Sequence, residues 1–256
     1  MWSWTVFLIL SDMNHKNRKD SYKRATGKIR RPRQLILYVE GRNTEKSYFD
    51  LLKNANCKVI PVTRRGHGIS QCVEFVNESD KAWRTLPREE REKYDKRWLV
   101  FDADGRADFD EGVKLAREKK FGVAFSNMCI EYWFLLHFYE HDGSPIPMIG
   151  DSHSAAQIKR INDYVRRYNK KAKSPVAEYD SGSKEVEKDF FDLMLAVDTV
   201  SGKSRIVMAF ERARAIHEAR KKSGDETRES VTSIYELLLE LGVIERTKDG
   251  YSLFRK

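Results

Sequence analysis

The amino-acid sequence predicts an α/β fold with a mostly parallel sheet, followed by a mainly helical C-terminal region. Short apolar runs bounded by turn residues alternate with amphipathic segments from residue 34 to about residue 139. Such runs are typical of buried strands in parallel sheets, and strict alternation with helices implies right-handed crossovers. Beyond residue 139 the sequence has long segments of helical periodicity instead.

The first part of the chain contains four predicted strands, each followed by a predicted helix. The strands are expected at residues 34–39, 58–62, 97–101 and 122–125. The helices are expected at residues 44–54, 70–83, 109–119 and 129–139, and the last of them is apolar almost all round. In the second part, helices are expected at about 154–172, 184–197, 203–222 and 227–241, before a hairpin at 243–254.

These elements indicate three regions. Residues 1–33 form a basic N-terminal arm, residues 34–145 an α/β core, and residues 146–256 the helical region that ends in the hairpin. The boundary is placed near residue 145 because residues 141–151 contain two prolines and two glycines. A chain of 256 residues is long enough for one large domain or for a core with an appended lobe.

The net charge of +9 is concentrated in the arm. Residues 16–33 contain nine Lys or Arg against a single acidic residue, Asp20. Lysines and arginines at this density displace counterions from phosphates, which indicates contact with nucleic acid. A disordered, solubilising tail is the alternative, and the composition argues against a fixed fold in either case.

The N-terminus and the cysteines bear on localisation. Residues 1–10 are apolar but too few for a membrane span, which needs about 20 residues. They also lack the basic region and cleavage site of a signal peptide, and a natural start at Met13 is one explanation. No membrane association is therefore expected. The three cysteines are far apart and odd in number, which favours reduced thiols in a cytoplasmic protein.

Carboxylates follow two of the predicted strands. Glu40 ends the first strand, and Glu45 falls in the first turn of the next helix, where interaction with the helix dipole is its alternative role. Asp102 and Asp104 follow the third strand. A carboxylate at a strand end either pairs with Arg or Lys, binds a cation or transfers a proton. The Asp pair could also be a solvated turn.

The carboxyl ends of parallel strands share one edge of the sheet, where ligands bind in open α/β folds. Carboxylates gathered there repel one another, and a divalent cation relieves the repulsion. Mg²⁺ prefers oxygen ligands, so we expect Glu40, Glu45, Asp102 and Asp104 to bind Mg²⁺, or Mn²⁺ in its place. Such ions stabilise the attacking and leaving oxygens of a phosphodiester displacement, with Glu40 as a possible general acid or base.

Further candidates lie near the same edge. Glu131 falls early in the apolar fourth helix, where a carboxylate is costly unless it has a partner. Metal or active-site support is one role for Glu131, and a structural salt bridge or a hydrogen bond to Asn127 is the other. Three residues after the second strand are weak candidates for contact with substrate phosphate: Arg64, Arg65 and His67. Other residues receive structural roles: Asp108 as a cap of the next helix, and Trp133 and His137 as core.

Three motifs resemble those of the RloB-like family. They are residues 39–49 (VEGRNTEKSYF), 101–104 (FDAD) and 126–138 (SNMCIEYWFLLHF). The similarity extends over about residues 34–241, and Met128 stands where that family usually carries proline. RloB-like proteins resemble TOPRIM domains, the Mg²⁺-binding Rossmannoid fold of topoisomerases, primases and related nucleases. The TOPRIM hallmark is a glutamate after the first strand and Asp-x-Asp after the third, which Glu40, Asp102 and Asp104 match.

The resemblance implies a function and partners. The family is associated with phage defence and abortive infection and is often encoded beside an ABC-type or AAA-type ATPase. It implies cleavage of RNA, such as tRNA, or of DNA, with Glu131 as an added acid of the family. Two alternatives stay open: a catalytically inactive nucleic-acid-binding or regulatory subunit, and a haloacid-dehalogenase-like phosphatase with Asp102 as nucleophile. RNA or DNA specificity, the activating signal and the oligomeric state are left open.

Overall fold

The computed structural model describes residues 33–63, 70–180, 182–183 and 185–254. Within these ranges the chain forms a five-stranded sheet in the order β2-β1-β3-β4-β5. Its strands are β1 (Leu35–Val39), β2 (Cys57–Pro61), β3 (Lys96–Asp102), β4 (Gly122–Asn127) and β5 (Val231–Thr232). The first four are parallel, and β5 pairs antiparallel to β4. The predicted α/β class with a mostly parallel sheet is confirmed.

Helices connect and cover the strands. In the first half they are α1 (Thr44–Leu52), α2 (Cys72–Thr85), α3 (Arg88–Arg91), α4 (Phe109–Glu118) and α5 (Ile130–Leu135). In the second half they are α6 (Ala155–Asn169), α7 (Lys188–Leu195), α8 (Arg205–Ser223) and α9 (Ile234–Glu240). A hairpin of β6 (Ile244–Thr247) and β7 (Gly250–Leu253) follows and is confirmed. None of the helices in the described ranges combines the length and hydropathy that a membrane span requires.

The two faces of the sheet follow from the alternation of side chains along each strand. Phe101 packs toward α2 and α4, with ring centroids 5.6 Å from Phe75 and 5.8 Å from Phe109. The next residue, Asp102, therefore points to the other face, where its carboxylate meets the start of α5. On that face Trp133 Nε1 donates a 2.8 Å hydrogen bond to the Tyr48 hydroxyl, which joins α5 to α1.

The structure differs from the sequence prediction in three elements. The helix expected at 227–241 begins only at Ile234, because Val231 and Thr232 join the edge of the sheet beside β4. The helix expected at 129–139 ends at Leu135, where the chain continues in turns. The short helix α3 was not predicted, since its four residues carry no apolar period.

The hydrophobic core is continuous between the two halves of the chain. Buried side chains of β1, β3 and β4 belong to one cluster with those of α7, α8 and α9. Arg33–Lys256 forms one compact unit. The separation of a core at 34–145 from a helical region at 146–256 stays a prediction, although β5 of the later region completes the sheet.

Candidate functional site

The carboxyl ends of β1, β3 and β4 lie side by side and bring the acidic residues together. The Glu40 N–H donates to Val100 O at 3.1 Å, so Glu40 leaves β1 next to the last residues of β3. Asp102 is in turn paired with Ser126 on β4. Glu45 lies close enough to Asp102 for its charge to raise the pKa of Asp102. We call the five residues of this edge the acidic cluster: Glu40, Glu45, Asp102, Asp104 and Glu131.

Asp102 is buried and held by backbone. Only 7 % of its surface is exposed, and its Oδ2 accepts a 2.8 Å hydrogen bond from the N–H of Ile130, the first residue of α5. Burial, then Glu45 and the other acidic residues, raise the pKa of Asp102 well above its usual range, against the effect of the Ile130 N–H. Its charged form is therefore destabilised unless a cation approaches.

Asp104 belongs to a turn that is attached to the loop after β4. The N–H of Ala103 donates to Ser126 O at 3.0 Å, and that of Asp104 donates to Met128 O at 2.9 Å. The Asn127–Met128 peptide bond is cis, at the position where the family resemblance leads one to expect proline. Asp104 has φ of 46°, a left-handed conformation that Asp tolerates better than most residues. Its side chain is 53 % exposed, which makes it the accessible carboxylate of the Asp-x-Asp pair.

Glu45 is buried beneath the turn after β1. It lies in the first turn of α1 with 9 % of its surface exposed, and its carboxylate is directed back against Gly41. Burial raises the pKa of Glu45, and the nearby carboxylates of Glu40, Glu131 and Asp104 add to the increase. The helix-dipole role proposed from sequence does not explain this inward orientation, because a dipole interaction requires no burial.

Glu131 is also buried, and its hydrogen-bond partner comes from the second half of the chain. The hydroxyl of Tyr179, in the segment after α6, donates to Glu131 Oε1 at 3.1 Å. Burial raises the pKa of Glu131, and the Tyr179 bond opposes that effect. The hydrogen bond to Asn127, one of the two alternatives for Glu131, is absent among the described residues, and the Asn127 amide donates to Thr227 O at 2.7 Å instead.

One basic side chain, Arg106, enters the acidic cluster. Its guanidinium forms a two-point ion pair with Glu40, in which Nη2 lies 2.9 Å from Oε2 and Nη1 contacts Oε1. Nη2 also donates to Asp102 O at 2.8 Å and lies 3.7 Å from Asp104 Oδ2. The sequence analysis missed this role, although the position of Arg106 directly after Asp-Ala-Asp-Gly was the available signal.

The cluster is left with an excess of negative charge. Over the described ranges, ion pairs of the cluster involve only Arg106, which contacts Glu40 and Asp104. Glu45, Asp102 and Glu131 have hydrogen-bond donors or acidic neighbours but no basic partner there. Buried carboxylates without counter-charge must bind protons or a cation.

The donor chemistry of the cluster therefore suits a hard divalent cation, but the positions of the side chains do not yet form a coordination site. Among the described residues, no three His, Cys, Asp or Glu side chains are arranged so that they could hold one metal ion. Both oxygens of Glu40 contact Arg106, and Asp102 Oδ2 is bonded to Ile130. Metal binding would require rearrangement of these side chains.

A histidine that the sequence analysis did not identify lies over the Asp-x-Asp turn. A Cβ atom on Gly105 would stand 2.9 Å from His153 Cε1, and Gly105 has φ of +68°, so both space and conformation require glycine there. The buried Nδ1 of His153 has no hydrogen-bond partner among the described residues. No sequence pattern connects His153 to this turn, because the contact depends on how the segment before α6 docks.

A cleft adjoins the same turn. It has a volume of about 490 Å³ and is lined by residues of the turn and of the segment before β5, among them Gly105, Arg106, Asn127 and Arg228. The cleft is largely polar, and it is connected to the acidic cluster through Arg106, which lines the cleft and pairs with Glu40.

Other expected site residues have different outcomes. Arg64, Arg65 and His67 lie outside the described residues, as does the basic arm up to residue 32. Asp108 precedes α4 as expected but does not cap it through its side chain. Its Oδ2 instead accepts a 2.9 Å hydrogen bond from the Val73 N–H in the first turn of α2. Trp133 and His137 are buried core residues, as predicted.

The sequence was compared with known proteins. Residues 35–241, most of the chain, match the family model described as RloB-like protein. No curated protein and no solved structure matches the chain.

Proposed function

Because the chain belongs to the RloB-like protein family, we propose that it is a metal-dependent nuclease with a TOPRIM-like core, acting as an effector of antiphage defence. One observation supports the proposal above the others: carboxylates from three separate segments converge at the carboxyl edge of the sheet, and three of them have no basic partner among the described residues.

The topology agrees with this proposal. The strand order β2-β1-β3-β4 places β1 beside β3, so a glutamate after β1 and an Asp-x-Asp after β3 meet at the same edge. This is the arrangement that the TOPRIM resemblance implies for Glu40, Asp102 and Asp104. The edge is also the usual ligand-binding side of an open α/β sheet.

The residues proposed to hold Mg²⁺ or Mn²⁺ are Glu40, Glu45, Asp102 and Asp104, with Glu131 in support. A bound divalent ion would stabilise negative charge on phosphate oxygens during cleavage of a phosphodiester. The chain's own contribution is positional: the Ile130 N–H orients Asp102, and the Tyr179 hydroxyl orients Glu131. The cleft beside the Asp-x-Asp turn would admit the nucleic-acid strand to the rim of the cluster.

The test is cleavage by the purified full-length chain. We expect Mg²⁺- or Mn²⁺-dependent cleavage of at least one substrate among tRNA, other single-stranded RNA, and single- and double-stranded DNA, and no cleavage in EDTA. Asp102→Asn and Glu40→Gln should abolish it, whereas Glu111→Gln, an exposed carboxylate on α4, should not. Sequencing of RNA ends after expression, with and without a co-expressed ABC-type or AAA-type ATPase, would identify the cellular target.

A non-catalytic nucleic-acid-binding or regulatory subunit is the second candidate. The Glu40–Arg106 ion pair favours it, because Arg106 neutralises a carboxylate that a nuclease would need free. Salt-dependent binding of nucleic acid without cleavage in either metal would support this second candidate. A haloacid-dehalogenase-like phosphatase, with Asp102 as nucleophile, stays a further alternative, which trapping of a covalent phospho-aspartate would support.

A further inference from the structure

We infer that Arg106 is a tethered cation of the acidic cluster, and that Glu40 joins a metal site only by exchanging the Arg106 guanidinium for the metal ion. The inference rests on the proposed function, because it assumes that the cluster binds a divalent ion. It adds to that proposal a residue of this chain that sets the affinity for the ion.

The position of Arg106 carries the inference. Arg106 and Glu40 are each only 14 % exposed at the side chain, and both Glu40 oxygens contact the guanidinium. The same guanidinium donates to Asp102 O at 2.8 Å and, through Nε, to Ala103 O at 3.2 Å. The side chain is therefore fixed by four hydrogen bonds beside two of the converging carboxylates, Glu40 and Asp104.

Charge explains why an arginine is held there. In this region of low water access, a guanidinium relieves the mutual repulsion of Glu40 and Asp104, which it contacts directly. A divalent ion would relieve the repulsion more effectively, because it places twice the charge at one point among oxygen ligands. The two cations compete for the same carboxylate, since Glu40 has no oxygen free while Arg106 remains.

Geometry agrees with this competition. No three acidic side chains of the described residues are placed around a common ion position, although five of them converge. Release of Glu40 from Arg106 would make one of the missing ligands available. Arg106 also lines the cleft of about 490 Å³, so the released guanidinium has a place to go, where the phosphate of a bound strand would be its next partner.

A permanent structural brace is the competing explanation, and it predicts the opposite result. If Arg106 only positions Glu40 for the metal, its removal should weaken metal binding. If Arg106 competes with the metal, its removal should strengthen binding and leave the metal-free protein less stable. The difference is measured by binding of Mn²⁺ alone, with no nucleic acid present.

The experiment compares Mn²⁺ affinity, by calorimetry, of the full-length wild type, Arg106→Gln and Arg106→Lys. Arg228→Gln is the matched control, because Arg228 lines the same cleft but pairs with Asp225 instead. We expect Arg106→Gln to bind Mn²⁺ about tenfold more tightly, Arg106→Lys to fall between it and the wild type, and Arg228→Gln to match the wild type. Without metal, the melting temperature of Arg106→Gln should be lower than that of the wild type, and Mn²⁺ should raise it more.

Equal or weaker Mn²⁺ binding by both Arg106 variants would overturn the inference, and so would the absence of Mn²⁺ binding in every variant. If Arg106→Gln cannot be purified folded, the Arg106→Lys result decides, since it keeps the charge but loses the two-point contact. The outcome is separable from that of the proposed function. If the wild type cleaves with metal but the Arg106 variants bind Mn²⁺ no more tightly, only the exchange is refuted. If the variants bind Mn²⁺ more tightly but no cleavage occurs, only the nuclease is refuted.

Discussion

The carboxylate of Glu45 lies directly against the α-carbon of Gly41. A Cβ atom built on Gly41 would stand 1.7 Å from Glu45 Oε2 and 2.7 Å from Glu45 Cδ, distances that real atoms do not adopt. The turn after β1 must therefore carry glycine for Glu45 to occupy its inward position. Gly41 thus links the motif that follows β1 to the burial of one carboxylate in the acidic cluster.

Gly41→Ala should displace the Glu45 carboxylate from the cluster. We expect cleavage activity to fall about tenfold or more, because displacing a catalytic group from its productive position lowers the rate by such factors. The free energy of unfolding should fall by about 1–3 kcal/mol, the usual cost of overpacking. Activity assays and urea denaturation would measure the two effects.

The control for Gly41→Ala is a double-mutant cycle with Glu45→Ala. Because the added methyl group collides with Glu45 itself, Gly41→Ala should cost little further stability once Glu45 is shortened to alanine. A full additional loss in the Glu45→Ala background would show that the turn, and not the carboxylate, requires glycine.

Glu45→Gln should stabilise the metal-free protein at high pH. Burial raises the pKa of Glu45 from 4.5 to about 7, so the folded state keeps a proton that the unfolded chain releases at lower pH. The stability of the wild type due to this group is therefore full below pH 4.5 and is lost as the pH rises through about 7. We expect the free energy of unfolding of Glu45→Gln to exceed that of the wild type by about 3 kcal/mol at pH 8, with the difference falling below about 1 kcal/mol at pH 5.

The wild type and Glu45→Gln are compared with EDTA present. The difference between them separates the effect of Glu45 on stability from that of buried histidines, whose pKa shifts give the opposite pH dependence. Burial lowers the pKa of His137 to about 3 and also lowers that of His217, so these groups add stability as the pH rises through their window below 6.5. They are the same in wild type and variant and cancel in the difference. A difference that is independent of pH between 5 and 8 would contradict the assignment of a raised pKa to Glu45.

The convergence of the acidic residues could be predicted from sequence because it depends on strand periodicity alone. The apolar runs before Glu40 and Asp102 identify two parallel strands, and parallel strands end at the same edge. The helices α1, α2 and α4 could also be predicted from periodicity, because their apolar residues recur on one face over several turns. Glu131 was a candidate because it falls in an apolar segment, and its burial on α5 agrees with that unusual position.

The partners of those acids could not be predicted, because they depend on side-chain directions and on docking of distant segments. Arg106 reaches Glu40 because Asp104 and Gly105, the two residues before it, are left-handed and turn the chain sharply after β3. Tyr179 lies in a stretch without helical or strand periodicity, so its contact with Glu131 is set by tertiary packing. The strand β5 has two residues, too few to show a period, and both were assigned to the helix predicted at 227–241.

Tyr179→Phe should lower stability and cleavage activity through Glu131, without disturbing the hydrophobic core. The variant removes the hydroxyl that donates to Glu131 Oε1 at 3.1 Å and lies 3.5 Å from Thr44 Oγ1. Loss of one buried hydrogen bond to a carboxylate should reduce the free energy of unfolding by about 1–2 kcal/mol. Cleavage activity should fall as well, because Glu131 loses the contact that orients it.

Tyr168→Phe on α6 is the matched control for Tyr179→Phe. The Tyr168 side chain is only partly buried, and its hydroxyl makes no hydrogen bond within the described part of the chain. Urea denaturation should therefore separate Tyr179→Phe from both wild type and Tyr168→Phe. Identical curves for the two variants would show that the Tyr179 hydroxyl contributes nothing to the cluster.

Ser233→Ala should destabilise the edge where the second half of the chain joins the sheet. Ser233 is 1 % exposed, and its hydroxyl accepts from the Phe125 N–H at 2.9 Å and donates to Val123 O at 3.1 Å. Alanine would leave two backbone groups of β4 buried without these partners, and an unmade buried hydrogen bond costs more than a made one contributes. We expect the free energy of unfolding to fall by about 2–3 kcal/mol, measured by urea denaturation. The control is Ser252→Ala on the partly exposed strand β7, whose hydroxyl makes only a 3.4 Å hydrogen bond to Glu245 and which should stay within about 0.5 kcal/mol of the wild type. A Ser233→Ala variant as stable as Ser252→Ala would mean that the contacts of the Ser233 hydroxyl with β4 do not hold the C-terminal segment to the sheet.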